Sequence, residues 1–121
     1  MILVDTSIWI DHFARSEPRL VRLLDDAGVL VHPFVTGEIA LGNLKQRGII
    51  LEALDALPPA VRATDAEVRL FIEAEDLAGS GIGFVDAHLL ASVRLTDGAA
   101  LWTRDRRLRA VAERVAAYRE P

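Results

Sequence analysis

The feature that most constrains this chain is a set of short, continuous apolar runs separated by helical stretches. "ILV" at 2–4 ends at Asp5, "VLVH" occupies 29–32, and "AALWT" occupies 99–103. Runs that are apolar at every position suit strands buried on both faces. Between them the spacing is helical. "SIWIDHFAR" repeats apolar residues at Ile8, Trp9 and Phe13 with Ser7 placed as N-cap, and residues 17–27 carry Pro18 in a first turn, a stripe of Leu20, Leu23 and Leu24, and a stop at Gly28. Pro33 opens a helix carrying Phe34, Val35, Ile39, Leu41 and Leu44 that Gly48 closes; a short helix spans 49–57, and Pro58 and Pro59 punctuate. "AVRAT" at 60–64 is expected to form a third strand, 65–78 a helix, "GSGIG" at 79–83 a flexible loop, and "FVDAHLLASVRL" a helix. The arginine-rich segment after Thr103 reads as a last helix, with an edge strand at 116–118. Strands alternating with helices demand a parallel sheet with helical crossovers. The expected fold is therefore α/β, three layers deep, with short parallel strands flanked by helices.

At 121 residues the chain has the size of one domain, 1–121, and can bury a core without staples. Cysteine is absent, which removes disulfides, thiolate metal sites and cysteine nucleophiles. Any metal must then take oxygen or histidine ligands. "MILVD" shows no basic leader before its first acid, and no apolar run approaches the ~20 residues of a spanning helix. The expected location is cytoplasmic, with no membrane partner. A formal net charge of −4 argues against a sequence-indifferent nucleic-acid coat protein. The charge is segregated, however: from Arg104 onward six arginines (104, 106, 107, 109, 114, 119) stand against three acids, Asp105, Glu113 and Glu120.

Four acids occupy positions that call for an explanation. Asp5 and Asp105 each follow a predicted strand, where ligands bind in open parallel sheets. Both also suit a helix start: Asp5 as a hydrogen-bond acceptor for the backbone of the next helix, Asp105 as a cap or a surface ion pair within "LWTRDRRLR". Glu38 lies four residues after Phe34 and three before Leu41, and Asp86 lies three and four before Leu89 and Leu90, so both point near apolar stripes. An acid there needs hydrogen bonds, an arginine or a cation. If the four converge, they repel one another and form an oxygen-rich cluster of the kind that hard cations such as Mg²⁺ or Mn²⁺ occupy. Such ions lower the pKa of a bound water and offset charge on a phosphate, which is phosphodiester hydrolysis chemistry.

"ILVDTSIWI" at the N-terminus, Glu38 in "VTGEIALG", Asp86 in "GIGFVDAHLLASVRL" and Asp105 in "LWTRDRRL" together resemble the motifs of PIN-domain ribonucleases, specifically the VapC toxins of VapBC toxin-antitoxin systems. The match runs nearly the whole chain, in order, with all four acids present. The resemblance implies a metal-dependent endoribonuclease in which Asp5, Glu38, Asp86 and Asp105 hold one or two Mg²⁺ or Mn²⁺ ions. Its products carry a 5′-phosphate and a 3′-hydroxyl, so neither the RNA 2′-hydroxyl nor a histidine base is needed. By the same analogy Thr6, Ser7 and Thr103 support the carboxylates; a strand-end hydroxyl bonded to backbone is the ordinary alternative for Thr103, and helix capping for Ser7. Arg104, Arg106, Arg107 and Arg109 are candidates to draw RNA phosphates to an acidic mouth, set against a solvated helix face with i,i+4 pairs. The partners implied are RNA, a VapB-like antitoxin and a second copy in a homodimer. Trp9, Phe13 and Phe34 are candidate antitoxin contacts, with core packing as the alternative.

Rival chemistries fail on particular residues. A phospho-acceptor receiver domain needs a lysine near its last strand, and Lys45, the only lysine, sits in a predicted helix. A haloacid-dehalogenase-type phosphatase needs an aspartate two residues after the first, where Ser7 stands. His12, His32 and His88 have no mutual spacing of a metal site and read as structural or surface groups. A silent PIN domain that binds RNA or protein, and an RNA-processing nuclease without an antitoxin, are the two remaining alternatives.

Overall fold

The computed structural model describes residues 1–121. Its elements are β1 (Ile2–Val4), α1 (Thr6–Ala14), α2 (Pro18–Asp25), β2 (Val29–Leu30), α3 (Pro33–Ala40), α4 (Arg47–Asp55), α5 (Asp65–Ala74), α6 (Phe84–Leu95), β3 (Ala100–Trp102) and α7 (Arg106–Arg114). The strands form one parallel sheet in the order β2-β1-β3. Every strand residue is buried, so helices close both faces of the sheet. This is the α/β/α sandwich that uninterrupted apolar runs predict. A core of 23 buried residues includes Leu3, Ile8, Leu20, Ile39, Leu90, Leu101 and Leu108, and a satellite of Ala63, Val68, Ala87 and Ala91 joins α5 to α6. No helix is long and apolar enough to cross a membrane.

Local chemistry sets the helix starts. Pro18 and Pro33 take first-turn positions, where a missing N–H costs nothing. Thr64 and Glu67 form a reciprocal capping box at α5, each side chain accepting from the other's backbone N–H at 3.1 and 2.9 Å. Gly28 follows α2 and leads directly into β2.

Four expectations are corrected. The helix begun at Pro33 ends at Ala40, and Gly48 lies inside α4. Arg47 accounts for the early stop: its guanidinium donates to the carbonyls of Ala40 and Gly42 and so satisfies backbone groups left open at the end of α3. Leu41, counted in the apolar stripe, is instead 89% exposed. Residues 60–64 form no strand; one parallel bridge joins Val31 to Pro59. Two successive prolines lack the N–H groups a longer ladder needs, and beyond Ala60 the Val61 N–H turns away to Thr96 Oγ1 at 2.9 Å. The edge strand at 116–118 is likewise a single bridge, Leu101 to Tyr118. Finally, Ser7 is not the cap of α1, because Asp5 holds that position.

His32 is fully buried at the start of α3, where its Nδ1 accepts the Phe34 N–H at 3.0 Å. Nδ1 is therefore unprotonated, and the Nε2 proton is buried without a partner. Burial, reinforced by the charges of His88 and Arg62, pushes its pKa from 6.5 down to about 4. Between those values the unfolded chain binds the extra proton. Stability attached to His32 is thus intact above pH 6.5 and drains away as pH falls toward 4, by at most about 3 kcal/mol. Asparagine preserves a cap acceptor without titrating. Urea unfolding at several pH values should show a steeper acid loss for the parent than for His32→Asn; parallel curves would refute this account.

Candidate active site

Sheet register brings the first two polar groups together. Leu3 pairs with Leu101 and Val4 with Trp102, so the next residues, Asp5 and Thr103, leave the carboxyl ends of adjacent strands side by side. The Asp5 N–H continues the ladder to the Trp102 carbonyl at 3.0 Å. Because β1 has β2 on one side and β3 on the other, this end of β1 is where an open α/β sheet presents a crevice.

Asp5 is only 7% exposed, and its carboxylate makes no capping bond to α1. Its Oδ2 instead accepts two hydroxyl protons, from Thr103 at 2.7 Å and Ser7 at 2.8 Å. Each hydroxyl has one proton to give, so the 3.3 Å approach of Ser7 Oγ to Thr103 Oγ1 is a contact between two groups already committed to Asp5. Both hydroxyls also accept: Ser7 from the Arg104 N–H and Thr103 from the Asp105 N–H, each at 3.0 Å. One network therefore ties the ends of β1 and β3 to the start of α1. It leaves Asp5 Oδ1 free of any hydrogen bond.

The other three acids arrive on separate helices. Glu38, on α3, accepts from Thr6 Oγ1 at 3.0 Å. It is exposed, which corrects its expected place near the core stripe; Val35 and Ile39 take the buried positions of α3. Asp86 lies in the first turn of α6, half-buried, with Oδ2 accepting the Gly83 N–H at 3.3 Å. Asp105 caps α7, its Oδ1 accepting the Leu108 N–H at 3.0 Å. Glu38, Asp86 and Asp105 have no arginine within ion-pair distance. Burial raises the Asp86 carboxyl above its ordinary range, the Gly83 N–H opposes the rise, and the charges of Asp5, Asp105 and Glu38 add to it. Asp5, Glu38 and Asp105 thus all lie within electrostatic reach of Asp86.

Asp86 and Asp105 border a cavity of about 420 Å³ with Gly81, Ile82, Arg106 and Arg107. A cavity of about 470 Å³ between β2, α3 and α4 is larger but has Asp55 as its only charged wall, so convergent chemistry and not size marks the site. The donors around Asp5 are all oxygens, the set that suits a hard cation. No three acids close around a single point. An ion bound here would keep part of its water shell, as Mg²⁺ commonly does beside one or two carboxylates.

The four candidate arginines separate into two pairs. Arg104 is held by Asp11 and Glu17. Arg109 pairs with Glu113 at 2.8 Å and Glu120 at 3.6 Å, and lies 4.6 Å above the Tyr118 ring. Arg106 and Arg107 have no carboxylate partner and border the cavity. Sequence reading missed the contribution of Gly81. Its φ is +88°, and a Cβ there would come within 3.2 Å of Arg107 Cδ, so a glycine lets Arg107 lie against the loop. The glycines of "GSGIG" carried that signal but read only as flexibility.

Thr103 is 1% exposed and bridges two of the acids. Thr103→Val keeps its shape, removes one donor from Asp5 and leaves the Asp105 N–H without its acceptor. It should destabilise the fold by about 1–3 kcal/mol, read as a lower urea midpoint at unchanged slope. A midpoint equal to the parent's would show that the hydroxyl network contributes nothing.

Comparison with known proteins agrees with this arrangement. Residues 2–114 match the family model described as PIN domain. Two curated relatives are similar to the chain, each described as Ribonuclease VapC32, from Mycobacterium tuberculosis strains CDC 1551 / Oshkosh and ATCC 25618 / H37Rv. Each is 49% identical over 110 residues, covering 91% of this chain and 89% of the relative. The resemblance carried by the four motifs is borne out over most of the sequence. The chain belongs to the PIN-domain family, among the VapC ribonucleases.

Proposed function

We propose that the chain is an endoribonuclease toxin that depends on a divalent cation and is neutralised by a VapB-like antitoxin. The observation that carries this reading is the gathering of Asp5, Glu38 and Asp105 around Asp86 at one sheet end, where burial raises the Asp86 carboxyl and the charges of the other three add to the rise. Asp5, Glu38, Asp86 and Asp105 would hold one or two Mg²⁺ or Mn²⁺ ions. Bound there, such an ion supplies a more acidic water and offsets charge on phosphate oxygens. Thr103 and Ser7 fix the orientation of Asp5, and Thr6 that of Glu38. Arg106 and Arg107 draw the RNA backbone to an otherwise acidic mouth, positioning it without reading bases. Arg104 and Arg109, engaged by their own carboxylates, contribute mainly to the surface of the fold.

An apolar groove supports the antitoxin part of the reading. Trp9 and Phe13, stacked at 5.9 Å between ring centres, line it with Leu24, Ile50, Leu54 and Leu57. An amphipathic segment of the antitoxin would lay its apolar face there. Phe34 is not part of this groove; it packs between His32 and His88. A homodimer completes the proposed assembly.

The test is incubation of purified protein with total RNA in Mg²⁺ or Mn²⁺, with and without chelator and with and without the product of a small antitoxin-like gene neighbour. Discrete metal-dependent cuts with 5′-phosphate ends, suppressed by that product, are the expected result. Intact RNA over a range of metals would favour a silent binding domain.

A further inference from the structure

A further cavity, about 360 Å³, runs along α7 between Ser80, Arg106, Arg107, Ala110, Val111 and Arg114. Arg106 and Arg107 also border the cavity of Asp86 and Asp105, so the two spaces are adjacent and share these two side chains as a common wall. Arg107 stands at the junction, its stem lying along Gly81. Arg114 is tethered at the far end by a hydrogen bond from Nη2 to the Asp76 carbonyl at 3.2 Å. None of Arg106, Arg107 and Arg114 has a carboxylate partner, whereas Arg104 and Arg109 do. The segment from Arg104 to Arg114 thus segregates neutralised from unneutralised arginines. Three guanidiniums without a carboxylate partner, bordering adjacent cavities, create a local positive field in a chain of net charge −4.

Arg107 and Arg114 are separated by seven residues of helix, about 10 Å along its axis at 1.5 Å per residue. One phosphate group cannot span them. We propose that the α7 cavity is a second phosphate subsite, in which Arg114 holds an RNA backbone phosphate beyond the one brought to the acids by Arg106 and Arg107. The identity of the polyanion as RNA rests on the ribonuclease reading given above. Guanidinium contacts to phosphate set register and carry no base preference, so the subsite lengthens the bound strand without selecting its sequence.

The experiment measures binding of a fluorescent RNA of about twelve nucleotides across a salt series, in an Asp5→Asn background, for the reference and for Arg114→Gln, Arg114→Lys and Arg69→Gln. Arg69 lies on α5 outside both cavities and controls for net charge. Arg114→Gln should weaken binding roughly five- to tenfold and reduce the salt slope by about 0.7, the share of one single-strand phosphate contact. Arg114→Lys should retain most of the affinity, and Arg69→Gln should match the reference. The inference is overturned if Arg114→Gln behaves like Arg69→Gln, or if lysine fails as badly as glutamine, since the Asp76 tether and not the charge would then matter. Cleavage of the same RNA by protein with native Asp5 is scored separately. Failure of the nuclease reading would appear as binding without cutting, distinct from an Arg114 variant that binds normally.

Discussion

Asp5→Asn should lower RNA cleavage roughly a thousandfold, about 4 kcal/mol of lost charge stabilisation, while leaving the fold as stable as before. The two halves of this expectation have separate causes. An asparagine oxygen can accept the protons of Ser7 and Thr103 that Asp5 Oδ2 now receives. Its amide takes the place of Oδ1, which has no hydrogen bond to lose. What disappears is a negative charge at the one oxygen left free for a cation. The same change relieves Asp86 of one repelling neighbour, so the metal-free variant should melt at the parent temperature or above it. Cleavage rates and thermal melts of parent and variant check both halves. A variant that unfolds early would make Asp5 a structural acid; one that cuts normally would remove it from the chemistry.

Removing divalent ions should abolish cleavage, and adding them should stabilise the parent. The physical origin is the repulsion that Asp5, Glu38 and Asp105 exert on Asp86, which a cation would offset. Mg²⁺ or Mn²⁺ at about a hundred times its Kd adds about 2.7 kcal/mol, a rise of several degrees in Tm for a domain of this size. Asp5→Asn and Asp86→Asn should each show a much smaller rise. This readout needs no substrate, so it separates metal binding from RNA recognition. Equal rises in parent and variants would place the ion elsewhere on the surface.

Much of this site was legible because its parts obey short-range rules. Continuous apolar runs announced β1 and β3, and Asp5 and Asp105 immediately after them announced a crevice at the sheet end. The motifs around Glu38 and Asp86 then completed the set. The remainder depended on contacts distant in sequence. Arg104 looked like a free cation because its partners, Asp11 and Glu17, lie 93 and 87 positions away. Sorting the arginines from Arg104 to Arg114 into paired and unpaired ones required such partners in place. Glu38 suggests a core-facing place because it is spaced from Phe34 and Leu41 as on one helical face; with α3 ended at Ala40, Leu41 is exposed and Val35 and Ile39 take the buried positions. The strand expected at 60–64 was apolar enough, but Pro58 and Pro59 set the pairing and stopped it at one bridge. Register was equally hidden. Only when Val4 faces Trp102 does Thr103 reach Asp5 at 2.7 Å.

The central claim is that these four acids form a cation-dependent site for phosphodiester hydrolysis. Its most direct test is end-mapping of RNA cut by parent and Asp5→Asn protein, in Mg²⁺ or Mn²⁺ and in chelator. The account predicts cuts by the parent alone, only with the metal, leaving 5′-phosphate and 3′-hydroxyl ends. Cuts that persist in chelator or in Asp5→Asn, or that leave 2′,3′-cyclic phosphates, would contradict it.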